Sequence, residues 1–165
     1  MTAGWPKPSF LATVLVTLAS LLGAADAPPN YAAVFAGNTV AYHPPGAGWD
    51  GGQSDLILTA GAGRCVSRSF ALELDFGPTL VRGTYATFSV VPGVVWSVSP
   101  HAYLAARFPI AVDPDVVVYA APGAGLIHTF ANGLSPILEV NAVARLGHGK
   151  PDLGLTVTLG LLYSF

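Results

Sequence analysis

The sequence predicts an all-β protein: an eight-stranded antiparallel up-and-down transmembrane β-barrel preceded by a signal peptide. Apolar side chains recur with a period of two, which places them on one face of a strand but would scatter them around a helix. Only 10% of the 165 residues are charged, against about 25% in soluble domains, so the outer surface cannot be the usual solvated one. The 19 glycines and 14 prolines favour short elements joined by many turns.

The first 25 residues have the features of a secretory signal peptide. Lys7 precedes an apolar run over residues 10–22, and small residues follow up to Ala27. Cleavage is expected near Ala25 or Ala27, which leaves residues 26–165 as one barrel domain. The alternative is a transmembrane anchor, but an anchor needs about 20 apolar residues, more than this run provides.

Eight later segments alternate and are predicted as strands. In the last one, the odd positions from Leu153 to Phe165 are apolar, and the even positions are Gly, Thr or Ser except for Leu162. The facing of the first strand stays open. The predicted strands are residues 31–43, 55–66, 70–80, 85–97, 102–111, 116–129, 134–146 and 153–165.

The connections alternate between tight turns and longer loops. Residues 67–69, 97–101 and 131–133 form the tight turns, and residues 44–54 form the longest of the other connections. An even number of strands with this asymmetry is typical of a transmembrane barrel, whose closure pairs every backbone polar group in lipid. The alternative is a secreted β-sandwich, but its outer face is polar and usually charged. The polar faces here carry mostly Gly, Ala, Ser and Thr, which suits the narrow lumen of an eight-stranded barrel.

Two prolines fall in the middle of predicted strands. Proline removes a ladder hydrogen bond from a sheet. Because Pro92 and Pro122 each precede a glycine, we expect a bulge or kink at both positions.

Aromatic residues lie near both ends of the predicted strands. This distribution is typical of the girdles that transmembrane barrels place at the membrane interfaces. The expected girdle residues are Tyr31, Phe70, Tyr85, Trp96, Phe130, Tyr163 and Phe165.

The last eight residues, TLGLLYSF, resemble the C-terminal strands of bacterial outer-membrane barrels. Those strands typically combine a polar residue, a spaced glycine and alternating hydrophobic residues with a terminal Phe, here Thr158, Gly160, Tyr163 and Phe165. The resemblance implies a signal read by the barrel-assembly machinery. With the signal peptide and eight strands, the mature chain resembles the small barrels of the OmpA/OmpX type. The resemblance therefore implies location in the outer membrane, with its lipid and lipopolysaccharide as partners.

Five charged residues are predicted to face the lumen: Glu73, Asp75, Arg107, Glu139 and Arg145. With the tight turns taken as periplasmic, Asp75, Arg107 and Glu139 each lie about five residues above a turn, opposite the apolar stripe. Glu73 is expected slightly lower, and Arg145 near the outer rim. Charges in a low-dielectric tube are costly unless they are paired. We therefore expect a salt-bridge network around Arg107, with Asp75 and Glu139 as its partners. The network either plugs the lumen or gates a narrow ion path.

Several functions find no support in the sequence. A net charge of −2 without a basic cluster argues against nucleic-acid binding. His43, His101, His128 and His148 lie at strand ends or turns, and Thr129 faces the side of its strand opposite to His128. No catalytic nucleophile–base pair, cofactor or metal site is predicted.

The sequence thus favours a structural or interaction role in the bacterial envelope, without enzymatic activity. A narrow channel or carrier for small solutes is the alternative, followed by a lipid-modifying enzyme. No specific protein partner is indicated.

Overall fold

The computed structural model describes residues 30–44, 46, 48–51, 55–147 and 152–165. The predicted signal peptide and its cleavage site lie outside the described residues. The strands are β1 (Asn30–His43), β2 (Asp50–Gly51), β3 (Asp55–Cys65), β4 (Phe70–Val81), β5 (Thr84–Ser99), β6 (Ala102–Arg107), β7 (Ile110–Asp113), β8 (Val117–Ile127), β9 (Leu134–Leu146) and β10 (Leu153–Ser164). Within these ranges no helix is long and apolar enough to cross a membrane.

The strands form one closed antiparallel barrel. Along the wall the order is β1, β3, β4, β5, then β6 with β7, then β8, β9 and β10, which pairs back with β1. β6 and β7 are two pieces of one wall strand, since both lie between β5 and β8, and β2 only extends the edge of β1. The described wall therefore has eight positions, as predicted, and the two-sheet sandwich is excluded. At the seam, the backbone N–H groups of Asn30 and Phe165 each donate to the other residue's carbonyl oxygen, over 3.1 and 3.0 Å.

The period of two determines which side chains face outward. In β10, Leu159 is 63% exposed on the outer surface, whereas Thr156 is buried in the lumen. β1, whose facing the sequence left open, turns Tyr31 and Phe35 inward and Val34 outward. The outer face of the barrel is consequently a band of Leu, Val and aromatic side chains, the surface that a lipid environment favours.

The prolines do not produce the expected bulges. β5 keeps one register with β6 and β7 on both sides of Pro92, and β8 keeps one register with β9 on both sides of Pro122. Instead, the strand facing Pro92 is interrupted at Phe108 and Pro109, and the Phe108 N–H donates to the Pro92 carbonyl oxygen over 2.9 Å. The expected bulges were wrong because the missing N–H groups are accommodated by a local gap in the ladder, so no extra residue is inserted.

The expected aromatic girdles are present with one correction. The exposed members are Phe70, Tyr85, Trp96, Phe130, Tyr163 and Phe165. Tyr31 is buried and faces the lumen. The expectation for Tyr31 was wrong because nearness to a strand end does not determine the facing of a residue, which follows from its register.

Candidate functional site in the barrel lumen

The two ends of the lumen differ in how they are filled. We call the end with turns 66–69, 100–101 and 128–133 the short-turn end, and the opposite end the long-loop end. Towards the short-turn end, inward side chains form an apolar cluster, which we call the packed half. Its buried members are Tyr31, Ala33, Phe35, Ala71, Tyr103, Ala105, Ile137 and Leu162.

Two tyrosines of the packed half lie directly over glycines of the neighbouring strand. Tyr31 is the cross-strand partner of Gly63, and Tyr103 is the partner of Gly125. A Cβ atom at either glycine would collide with the tyrosine ring. The glycines thus allow the two rings to lie against the wall of the narrow lumen.

The hydroxyl groups of the two tyrosines contact a charged cluster around Arg107. The hydroxyl of Tyr31 donates to Glu73 Oε2 over 3.1 Å, and that of Tyr103 donates to Glu139 Oε2 over 2.6 Å. Arg107 lies between the two glutamates and donates from Nε to Glu73 Oε1 and from Nη1 to Glu139 Oε1. Below the guanidinium, the ring centroid of Phe35 is 5.8 Å from its central carbon, a cation–π distance.

Arg107 therefore hydrogen-bonds to Glu73 and Glu139 and forms a longer ion pair with Asp75. The expected partners Asp75 and Glu139 are both present, and Glu73 is an additional direct partner. Glu73 pairs with Gly93 across β4–β5, and Gly93 pairs with Arg107 across β5–β6. The three residues lie side by side on adjacent strands, and Gly93 carries no side chain to separate the glutamate from the arginine. Asp75 Oδ2 remains 3.8 Å from Arg107 Nε. Counting residues up from each turn missed this arrangement because the strands of a barrel are staggered.

Arg145 is not part of this cluster. It lies six residues beyond Glu139 on β9, a span of about 20 Å along a strand. Its side chain is 53% exposed and its Nη1 is 3.8 Å from Asp152 Oδ2. The structure thus brings together four of the five residues predicted to form the network, and places the fifth at the long-loop end.

Above the Arg107 cluster the lumen widens into a cavity of about 350 Å³, which we call the cup. Asp75, Arg107, Glu139 and Asn141 lie at its floor, and it extends to Tyr42, Tyr119 and Asp152 at the long-loop end. Its wall consists mainly of small residues, with the hydroxyls of Thr39, Thr59, Thr79, Thr87, Ser89, Thr156 and Thr158. The same barrel is thus closed at one end and hollow at the other.

The described residues offer no evident catalytic or metal-binding arrangement. The rings of His101 and His128 stack with centroids 6.1 Å apart at the short-turn end. Ser135 donates to Thr129 rather than to a histidine, over 3.0 Å. No group of three or more His, Cys, Asp and Glu residues in the described ranges could hold a metal ion.

The four residues of the predicted assembly signal divide between the two faces of β10. Tyr163 and Phe165 point outward with their rings stacked at 6.2 Å. Thr158 and Gly160 belong to the lumen side, where a Cβ atom at Gly160 would collide with Phe35. Gly160 therefore also provides the space that Phe35 needs beneath Arg107.

Comparisons with known proteins give matches among solved structures only. No protein-family model matches the chain, and no curated protein matches it. Ail, the attachment invasion locus protein of Yersinia pestis, is 14% identical with a TM-score of 0.57, over 84% of this chain and 99% of Ail. A structure described as de novo design of transmembrane β-barrels is 16% identical with a TM-score of 0.53, over 85% of this chain and 98% of the design. The chain thus has the closed eight-stranded antiparallel fold of transmembrane β-barrels.

Proposed function

We propose that the protein is an integral outer-membrane β-barrel with a structural or interaction role in the bacterial envelope and a lumen closed to solutes. The observation that carries this proposal is that the packed half and the hydrogen-bonded Arg107 cluster at its border together fill one end of the lumen. The short-turn end faces the periplasm and the long-loop end faces outward, following the usual asymmetry of such barrels.

The outer face supports contact with outer-membrane lipid and lipopolysaccharide. Large apolar side chains such as Leu72, Leu126 and Leu159 are exposed there, and aromatic residues occur near both ends. An exposed apolar band of this kind is stable in lipid and would be an aggregation hazard in water. We expect the boiled and unboiled protein from outer-membrane fractions to migrate differently in SDS gels. A protein found soluble in the periplasm with a single mobility would contradict the proposal.

The outward position of Phe165 supports its recognition by the barrel-assembly machinery, since the side chain is 54% exposed beside Tyr163. Removing Phe165 should lower the amount of protein assembled in the outer membrane. Leu161→Ala, a change on the same face of β10, is the matched control. Normal outer-membrane levels of the shortened chain would contradict this part of the proposal.

A narrow channel is the second candidate, because the cup already hollows out the long-loop half of the lumen down to Arg107. Planar-bilayer recording distinguishes the two candidates. A structural barrel with a closed lumen shows no steady conductance. A steady conductance of the unaltered protein that rises or falls in Arg107→Ala, but not in Arg145→Ala, would establish the channel instead.

A further inference from the structure

We propose that the cup binds a small organic cation, a primary ammonium or guanidinium group on a short apolar body, with Asp75 as the counter-ion at its floor. This inference does not depend on the envelope role proposed above, because a non-conducting barrel can hold a ligand in a cavity that ends at Arg107.

The size of the cup fits such a ligand. About 350 Å³ lies within the range of small-molecule pockets and is far more than a single ion requires. The wall combines hydroxyl groups with apolar surface from Ile57, Val91 and Val143. A short hydrocarbon body can therefore lie against the wall while a charged group reaches the floor.

Asp75 is the carboxylate of the cluster with the weakest contacts to the protein. It is only 4% exposed, yet it forms no hydrogen bond with any described residue, and its nearest cation is Arg107 Nε at 3.8 Å. Glu73 and Glu139 share Arg107 and also accept hydrogen bonds from Tyr31 and Tyr103. Three carboxylates thus face one guanidinium, and the one that accepts no hydrogen bond lies on the cavity. A buried carboxylate whose only partner is a shared cation at 3.8 Å is costly, and a bound cation would lower that cost.

The side chain of Asn141 independently indicates that a hydrogen-bond donor is missing at the floor of the cup. The residue is 7% exposed, and its Nδ2 donates to Glu139 Oε1 over 2.8 Å. Its Oδ1 is buried at the floor and has no hydrogen-bond partner. Buried polar atoms are nearly always paired, so this acceptor, which lies over Gly123 of the neighbouring strand, lacks a donor that the described residues do not supply. An ammonium group has three donors and no acceptor, which matches a floor that offers acceptors.

A divalent metal ion fits the floor less well than an organic cation. Ca²⁺ and Mg²⁺ take six or more oxygen ligands, commonly with carboxylates among them. At this floor only Asp75 and Asn141 Oδ1 are not already engaged by hydrogen bonds from the protein, which is fewer than six ligands. In agreement, no group of three or more His, Cys, Asp or Glu residues in the described part of the chain could hold a metal ion.

The test is titration of the folded barrel in detergent micelles with propylammonium or methylguanidinium, followed by calorimetry or amide chemical shifts. The neutral 1-propanol and Mg²⁺ alone serve as comparison ligands. We expect saturable binding of the two organic cations with shifts at cup residues, and none with 1-propanol. Asp75→Asn, which keeps the side-chain shape, should weaken binding by about tenfold or more, since a hydrogen bond to a charged group is lost.

Asp50→Asn is the matched control, because it removes an exposed carboxylate of β2 that does not line the cup and should leave the affinity nearly unchanged. Heat modifiability in SDS gels verifies that each variant is folded. Equal affinity of the unaltered protein and Asp75→Asn would overturn the proposal. So would Mg²⁺ binding that excludes the organic cations, or the absence of any saturable shift.

Discussion

The packed half and the cup are built from the same strands, yet only one of them is closed. In the packed half, large inward side chains such as Tyr31 and Tyr103 lie over glycines of the next strand. In the cup, Thr and Ser occupy the same inward register and leave a cavity of about 350 Å³. The comparison teaches that strand pairing sets the width of the barrel, whereas the sizes of inward side chains decide whether the lumen is filled at each level.

The Arg107 cluster forms the boundary between the two halves. Its glutamates receive hydrogen bonds from the tyrosines below and from Arg107 between them. Such a cluster is costly to assemble, and removing one member leaves the others buried without compensation. The boundary is therefore where substitutions should have their largest effect.

The largest effect is expected for Arg107→Ala. The change leaves Glu73, Asp75 and Glu139 buried without a cation, which should lower the free energy of unfolding by about 3–5 kcal/mol. Urea unfolding of the barrel in detergent or lipid measures it. Arg145→Ala is the control, since an exposed pair contributes only about 0–1 kcal/mol. Equal unfolding midpoints for Arg107→Ala and the unaltered protein would show that the cluster does not stabilise the barrel.

Replacing glycine by alanine should have a smaller effect on the free energy of unfolding, and this effect should differ between the two halves. Gly125→Ala places a Cβ atom against the ring of Tyr103, and overpacking should cost about 1–3 kcal/mol. Gly154→Ala is the matched change in the cup, where the nearest atom, Thr39 Cγ2, is 3.7 Å from the added Cβ. Its unfolding free energy should be unchanged or slightly higher. If both variants lose the same stability, the halves do not differ in packing as described.

An effect comparable to that of overpacking is expected for Tyr103→Phe, which keeps the ring over Gly125 but removes the hydroxyl that donates to Glu139 over 2.6 Å. Loss of a hydrogen bond to a charged group should cost about 1.5–3 kcal/mol. Tyr163→Phe, on the exposed face of β10, is the control and should be neutral in the same unfolding experiment. A neutral Tyr103→Phe would show that the hydroxyl contributes nothing to the boundary.

The sequence predicted the parts of this fold that depend on local pattern. The strands, the number of wall positions and the inward facing of Glu73, Asp75, Arg107 and Glu139 follow from alternation along one strand. Which residues meet depends on the stagger between strands, and no single strand encodes it. This is why the alternation pattern did not identify Glu73 as the carboxylate that accepts a hydrogen bond from Arg107 Nε, beside the longer ion pair with Asp75.

The position of Tyr31 could not be predicted from one strand either, because it depends on which residue of the neighbouring strand lies beside the ring. Tyr31 was expected at the membrane interface, but in the barrel it lies over Gly63 and contacts Glu73. The available signal was the set of isolated glycines, such as Gly63 and Gly125, on the inward faces of neighbouring strands. Such a tyrosine–glycine pair can be recognised only when the register between the two strands is known.

The most direct test of the closed and hollow halves is thiol labelling of the folded barrel in detergent, where both ends are accessible. In a Cys65→Ser background, Ser89→Cys introduces a thiol into the cup wall and Ala105→Cys introduces one into the packed half. With a small charged methanethiosulfonate reagent, we expect rapid labelling at position 89 and protection at position 105 until the barrel is unfolded. Equal labelling of both positions in the folded protein would indicate a continuous pore and contradict the division of the lumen into a closed and a hollow half.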